Sequence, residues 1–315
     1  MGTVEMGMVE FLNAASNPIT FRYEHLINRY DIESGILWTG MNPQGIPCCT
    51  PELLEDLYNH HKSIEICGGK VQVGDETHAV HYSVVASLIP GVFNLGGNLE
   101  LFSRLIKDRK RQALVEYSIR CLDVMFLRMN HFKSSMVTIS LVQGDALGGG
   151  LEAALTSDVI IAERSAKMGF PEILFNLIPG HGAFSLVARK IGVTNAEKMI
   201  LSGKLFSAEE MYEMGLVDVL AEDGLGEEAV YDYVEKQARR SNGYIALKKA
   251  RQRFNPITYQ ELIDIMHVWV DAALRLSEKD LKVMDRFVRS QQKLFGKNSG
   301  IQNSNAIPGL TAASA

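Results

Sequence analysis

Val142-Gln143-Gly144-Asp145-Ala146-Leu147-Gly148-Gly149-Gly150-Leu151-Glu152, followed further on by Phe170-Pro171-Glu172, is the stretch on which the reading of this chain turns. Three consecutive glycines leave an apolar run and open a helical pattern that carries a carboxylate in its first turn. Glu172 follows after a second apolar run, Val159-Ile160-Ile161-Ala162. Glycine allows close approach of a ligand and an unusual backbone path. Backbone N–H groups at a helix start have no intrahelical acceptor and suit an anion or a developing oxyanion. Two carboxyl groups beside such donors are what enolate chemistry on a thioester requires.

The rest of the composition sets bounds. The chain has 315 residues, 46% hydrophobic and 22% charged, enough for one large domain or two small ones. A net charge of −5 argues against general nucleic-acid binding. No run of eighteen apolar residues appears, so no membrane span is expected. The start, Met1-Gly2-Thr3-Val4-Glu5-Met6, shows neither a signal peptide nor the pattern for myristoylation. The four cysteines, Cys48, Cys49, Cys67 and Cys121, form no CxxC pair, and a reduced cytoplasmic protein is expected.

Along the chain, Thr50-Pro51-Glu52 reads as a helix start, with a short helix over 53–61. From Ser63 to Leu88 the pattern predicts strands, with Ile64 and Ile66, Val71 and Val73, then Ala79, His81, Ser83 and Val85 alternating with polar positions. A glycine-bearing turn at Phe93–Asn98 precedes a helix near Leu99. A long helix is predicted over 111–129 and a buried strand over 136–142. Ser207-Ala208-Glu209-Glu210 is a capping box. Leu262, Ile265, Met266, Trp269, Ala273 and Leu276 keep the spacing of an amphipathic helix, and Ser277-Glu278 starts another. These boundaries divide the chain into an N-terminal extension with the first helix (1–62), an α/β core holding the active site (63–220), a helical region (221–295) and a flexible tail (296–315).

The glycine cluster has a rival reading. Gly148, Gly150 and Ala153 satisfy the G-x-G-x-x-A form of a dinucleotide fingerprint. Against it, Glu152 would push on a pyrophosphate, a strand-rich region already precedes the motif, and the next strand ends too early, at Glu163-Arg164. A P-loop is excluded because no Gly-Lys-Ser/Thr follows. No G-x-S-x-G elbow supplies a serine nucleophile. His60-His61, His78 and His81 lack companions at metal-ligand spacing, so no metal is implied. His181, between two glycines, could touch substrate, but a lone histidine is more often structural or exposed.

The ordered set Gly144-x-Ala146-x-Gly148-Gly149-Gly150-x-Glu152, Asp158, Gly169-Phe170-Pro171-Glu172-Ile173, Ile178-Pro179-Gly180 and Ala208-x-x-Met211-x-x-Met214-Gly215-Leu216-Val217-Asp218 resembles the crotonase (enoyl-CoA hydratase/isomerase) superfamily over roughly residues 60–290. The resemblance implies an α/β spiral of ββα units with a C-terminal α-helical oligomerisation region forming a trimer or a dimer of trimers. It implies the N–H groups of Gly97 and Gly149 as an oxyanion hole, with Glu152 and Glu172 as the acid/base pair. By analogy Glu172 acts at C2 and Glu152 on the hydroxyl. Gly148 and Trp269 are expected to contact substrate, and no cofactor is implied.

A narrower set, Val92-Phe93-Asn94-Leu95-Gly96-Gly97-Asn98-Leu99, Ser140 to Gly150, Met168 to Phe175 and Trp269-Val270-Asp271-x-Ala273, closely resembles the diffusible signal factor synthases, the RpfF family. That resemblance implies dehydration of a 3-hydroxyacyl chain on acyl carrier protein and hydrolysis of the thioester. The product is a free cis-2-unsaturated fatty acid signal, and a cognate signal-sensor protein is a further partner. Pro179-Gly180-His181-Gly182-Ala183 replaces the Gly-Thr-Gln-Arg run of many hydratases, which counts against coenzyme A as carrier. The alternatives are a conventional enoyl-CoA hydratase or isomerase, and a catalytically silent relative that binds a signalling partner. Arg104, Lys107, Arg109, Lys110 and Arg111 form a basic cluster. It reads as a solvated helix face or as a docking patch for an acidic carrier protein.

Overall fold

The chain alternates between two sheets, and that alternation builds the site. The computed structural model describes residues 23–298 and, ahead of them, a short antiparallel pair, β1 (Phe11–Leu12) and β2 (Pro18–Ile19). Next come β3 (Leu26–Asp31), β4 (Ile36–Met41), α1 (Pro51–Ile66), β5 (Lys70–Val73), β6 (Glu76–Ala79), β7 (Tyr82–Ser87) and β8 (Val92–Asn94). Two helices, α2 (Leu99–Lys107) and α3 (Arg111–Met129), lead to β9 (Val137–Val142), β10 (Asp145–Leu147) and α4 (Gly149–Leu155). Then follow β11 (Val159–Glu163), β12 (Lys167–Gly169), a 3-10 turn at Pro171–Phe175, α5 (Ala183–Ile191) and α6 (Val193–Ser202). The chain closes with β13 (Leu205–Ser207), α7 (Ala208–Glu213), β14 (Val219–Ala221), α8 (Gly226–Ala238), α9 (Ser241–Phe254), α10 (Tyr259–Ala273) and α11 (Glu278–Asn298).

The six-stranded sheet has the order β14-β11-β9-β7-β4-β3, parallel except for β3, and the four-stranded sheet has the order β13-β12-β10-β8. Three times a long strand of the first sheet hands over to a short strand of the second and then to helix: β7 to β8, β9 to β10, β11 to β12. This is the expected spiral of ββα units. Every residue of β4, β7, β9 and β11 is buried, as parallel strands covered on both faces must be. The serine and threonine hydroxyls among them are matched. Buried Arg128 reaches Ser83 Oγ at 3.3 Å, Ser157 Oγ at 3.0 Å and the Ile139 carbonyl at 2.6 Å, while Ser140 and Ser157 hydroxyls meet at 2.7 Å.

Three expectations change. The antiparallel hairpin β3–β4 belongs to the main sheet, with β4 paired along β7, so residues 26–41 are core and not an extension. Its Ile36-Leu37-Trp38 run is buried on both faces and carries no period to read. The strand expected from Ser63 starts later, because α1 continues to Ile66. Leu53, Leu54, Leu57, His61 and Ile64 form one buried helical face while Ile66 is exposed. Two isoleucines two apart were too short a pattern to outweigh that helical stripe. Finally, α11 runs on to Asn298, three residues into the stretch expected to be a tail; the remainder of 296–315 lies outside the described residues. The capping box on Ser207 and Glu210 and the caps of α1 and α10 by Thr50 and Thr258 are formed. Among the described residues no helix is long and apolar enough to cross a membrane.

Candidate active site

In the small sheet β10 lies parallel between β8 and β12. The chain leaving β10 is therefore held beside the chain leaving β8 and the chain leaving β12. Residues far apart in sequence meet there: Gly97 after β8, Gly149 and Glu152 after β10, Glu172 after β12. A Cβ on Gly149 would lie 3.3 Å from the Gly97 nitrogen, and one on Gly96 would lie 2.9 Å from the Gly149 nitrogen. The two expected oxyanion amides are thus neighbours. Gly149 opens α4, so its N–H has no intrahelical acceptor. The Gly97 N–H makes none of the backbone hydrogen bonds found among the described turns and caps.

Gly148 joins the two halves. Its backbone has φ +52° and ψ −122°, open to glycine only, and a Cβ there would collide with Glu172 Oε1. The carboxyl of Glu172 therefore rests on the bare backbone of Gly148. The structure gives Gly148 this supporting contact; the expected contact with substrate stays an expectation.

Glu152, 1% exposed, projects from the first turn of α4. Its Oε1 accepts hydrogen bonds from the backbone N–H of His181 at 2.8 Å and of Ala183 at 2.9 Å. Its Oε2 lies 3.6 Å from His181 Nδ1. Both contacts to Oε1 are donors, so any proton on this carboxyl sits on Oε2. The groups behind it stay neutral. Burial, with the charge of Glu152 added, pushes the Cys49 thiol up to about 12. Burial likewise raises Cys121 and the phenol of Tyr117, which donates to the Cys49 carbonyl.

Glu172 is held differently. Its Oε2 is buried and finds no hydrogen-bond partner among the described residues. Burial first, and the neighbouring Glu152 second, push its carboxyl up from 4.5 to about 8. Burial therefore favours the protonated form of Glu172. Two neighbouring carboxyl groups in unlike settings are an arrangement suited to acid/base work.

Trp269, 2% exposed, comes in from α10 and packs flat over Gly180, where any side chain would collide with its ring. Phe102 and His181 stand against it, at ring-centroid distances of 5.2 and 5.4 Å. Trp269 thus packs the core beside the loop that holds Glu152, and its expected contact with substrate stays an expectation. His181 is the residue that sequence reasoning underrated. It is 7% exposed, its backbone and ring both address Glu152, and its Nε2 is buried without a partner among the described residues. The available signal was its setting between Gly180 and Gly182, where tight backbone turns bring amides to bear on a carboxylate.

The basic cluster is partly neutralised. Lys107 pairs with Asp285 of α11 at 3.0 Å and Arg111 with Asp271 of α10 at 3.0 Å. Arg104, Lys107 and Arg289 still line a cavity of about 660 Å³ that reaches Asn98, the residue after Gly97, with Glu52, Glu100, Asp108 and Asp285 interspersed.

A protein-family model, enoyl-CoA hydratase/isomerase, matches residues 73–293. The chain is 28% identical over 223 residues to a protein of Arabidopsis thaliana named probable enoyl-CoA hydratase 2, mitochondrial, covering 70% of this chain and 67% of that one. It spans about half the length of other curated hydratases it matches. The solved structure of Pseudomonas aeruginosa DspI is 25% identical with a TM-score of 0.61, covering 80% of this chain and 96% of the other. An enoyl-CoA hydratase from Bacillus halodurans, 22% identical over 83% of this chain and 98% of its own, shares the fold at a TM-score of 0.67. With the glycine turns, the two glutamates and the two-sheet spiral, the match over 73–293 places this chain in the enoyl-CoA hydratase/isomerase family of the crotonase superfamily.

Proposed function

We propose that this protein dehydrates a 3-hydroxyacyl thioester on acyl carrier protein and then hydrolyses the thioester, releasing a free cis-2-unsaturated fatty acid. The observation that carries this is the unequal glutamate pair beside two free amides. In the first step the pair's proton lies on Glu152, and Glu172, ionised against the pull of burial, takes the C2 proton as the electron pair moves onto the thioester oxygen, held by the Gly97 and Gly149 N–H groups. Removing one such donor typically costs about 100- to 1,000-fold in rate. The C3–O bond then breaks as Glu152 gives its proton to the departing hydroxyl, which leaves as water. Glu172 is now protonated and Glu152 ionised.

That is the state a hydrolytic step needs. Glu152 takes a proton from water as its oxygen adds to the carbonyl carbon, and the same amides hold the tetrahedral oxyanion. Glu172 returns its proton to the departing thiolate. Each half-reaction leaves the pair in the protonation state the other starts from. The burial of Glu172, which favours its protonated form, supports the second half of this cycle, and the narrower resemblance of residues 92–99 supports the product.

The alternative is a conventional enoyl-CoA hydratase, favoured by the curated relatives. Hydration starts from the same Glu172-protonated state. Purified protein given 3-hydroxyacyl chains on carrier protein and on coenzyme A separates the readings by mass spectrometry. Release of free 2-enoic acid, faster from the carrier protein, is expected. Accumulation of an enoyl thioester with no free acid would leave the hydratase. Assembly as a trimer or dimer of trimers belongs to the same reading. Exposed Leu174, Phe184, Leu201 and Leu205 offer apolar surface for it, and a monomer by light scattering at micromolar concentration would reject it.

A further inference from the structure

Four buried or inward polar groups at this site lack partners among the described residues: the amides of Gly97 and Gly149, Glu172 Oε2 and His181 Nε2. Buried polar groups in folded proteins are ordinarily satisfied, and exceptions concentrate where a ligand completes them. On the proposed reading the first three have matching substrate atoms: the two amides take the thioester oxygen and Glu172 faces C2. His181 has none assigned. The geometry points to the C3 hydroxyl of the substrate as its partner, shared between the His181 ring and Glu152 Oε2.

Three observations lead there. First, Glu152 Oε1 is already occupied by two amides, so Oε2 alone faces the substrate oxygen. Second, the nearest polar atom of His181 to Oε2 is Nδ1 at 3.6 Å, beyond a hydrogen bond. The two groups therefore present adjacent, unjoined polar edges that one hydroxyl can join, accepting from one and donating to the other. Third, the ring is hemmed in. Its backbone N–H is tied to Glu152, its ring packs at a tilt against Trp269 with centroids 5.4 Å apart, and Trp269 is itself seated on Gly180. The consequence is chemical selectivity: His181 favours chains that carry oxygen at C3 over chains of the same length without it. An unmet buried imidazole penalises the deoxy chain, and unpaired polar groups of this kind discriminate more strongly than apolar contacts do.

This inference rests on the proposed substrate class but not on the hydrolytic step, so the test uses probes that are not turned over. They are pantetheine amides of a 3-hydroxyacyl chain and of its 3-deoxy counterpart, the thioester sulfur replaced by NH. By calorimetry the wild-type protein should prefer the hydroxylated probe, and His181→Met should reduce that preference by about 5- to 10-fold, with the deoxy probe bound at least as tightly as by the wild type. His181→Gln, which keeps an amide nitrogen at similar reach, should retain most of it. In the wild-type protein, the 15N resonance of His181 Nε2 should move on adding the hydroxylated probe and stay put with the deoxy one. Equal affinity of the wild type for both probes, an undiminished preference in His181→Met, equal loss of both probes, or an Nε2 resonance that ignores the hydroxyl would each overturn the assignment. Absence of free-acid release from any thioester would sink the hydrolytic reading and leave this comparison standing.

Discussion

Glu152 and Glu172 are the same side chain in two unlike settings. Glu152 sits on a helix, gripped by two backbone amides from a loop nearly thirty residues on. Glu172 sits on a 3-10 turn, rests on the bare backbone of Gly148 and has an oxygen with no partner among the described residues. One is held as an acceptor; the other is left to burial, which favours its proton. The difference teaches how two identical acids come to differ: the surrounding backbone, not the side chain, makes one a fixed acceptor and leaves the other to burial.

The most severe way to break this comparison is to remove either acid's proton chemistry. Glu152→Gln and Glu172→Gln should each lower turnover of a 3-hydroxyacyl thioester by roughly 100- to 10,000-fold, the usual weight of a general acid or base. Unchanged circular dichroism would confirm the fold. Near-normal turnover in either variant would strike that glutamate from the mechanism. The wild-type pH profile follows from the shared proton. Dehydration needs it on Glu152 and hydration needs it on Glu172, so kcat/KM in both directions should fall above about pH 8, where the pair loses it. Rates in either direction that stay flat to pH 10 would show that the pair does not hold this proton.

Gly148→Ala attacks the support rather than the acids. The new methyl meets Glu172 Oε1 and a backbone path that alanine resists, so Glu172 must move. A misplacement of about 1 Å costs on the order of 100-fold. Retention of wild-type kcat would show that the carboxyl does not depend on this seat.

A smaller effect sharpens the contrast between the site and its approach. Reversing Arg104 and Lys110, which are exposed and form no ion pair among the described residues, should slow turnover of carrier-protein substrate by about 10-fold at low salt. A small N-acetylcysteamine thioester should be unaffected. Lys107 and Arg111 are unsuitable for this test, because reversing them would break their ties to Asp285 and Asp271. Equal loss on both substrates would point to damage in the pocket, and no loss on either would leave the cluster a solvated face.

The smallest effect is on stability. Because its carboxyl rises from 4.5 to about 8 on folding, Glu172 binds its proton more tightly in the folded protein. Its contribution is complete below about pH 4.5 and is lost as pH climbs toward 8. Glu172→Gln removes that titration. Its melting temperature relative to wild type should rise by a few degrees between pH 5 and pH 8.5. A constant difference across that range would mean that Glu172 ionises normally in the fold.

Much of this site is legible in the chain itself. Gly148-Gly149-Gly150 and Glu152 are contiguous, so their mutual placement needs only a strand end and a helix start, both visible in the apolar run and its glycine stop. The capping hydroxyls of Thr50 and Ser207 and the long helix over 111–129 are likewise local, set by hydrogen bonds within four residues. The dinucleotide reading of the same glycines falls on placement. They follow a strand of the small sheet, not of the main one, and Glu163 accepts from the Gly226 amide.

What the sequence determined by itself, then, was the family pattern, the glycine turns and the identity of the two acids, because short-range backbone preference and side-chain chemistry are written residue by residue. Only the tertiary structure decided the rest. The hairpin of residues 26–41 joined the core because its strand pairs with one over forty residues away. Glu152 and Glu172 became unlike through burial and through amides supplied by residues 181 and 183. His181 became part of the site because the fold laid Trp269 over Gly180 and left one ring nitrogen unmet. Burial and long-range pairing depend on which distant segments fill the same space, and no local pattern records that.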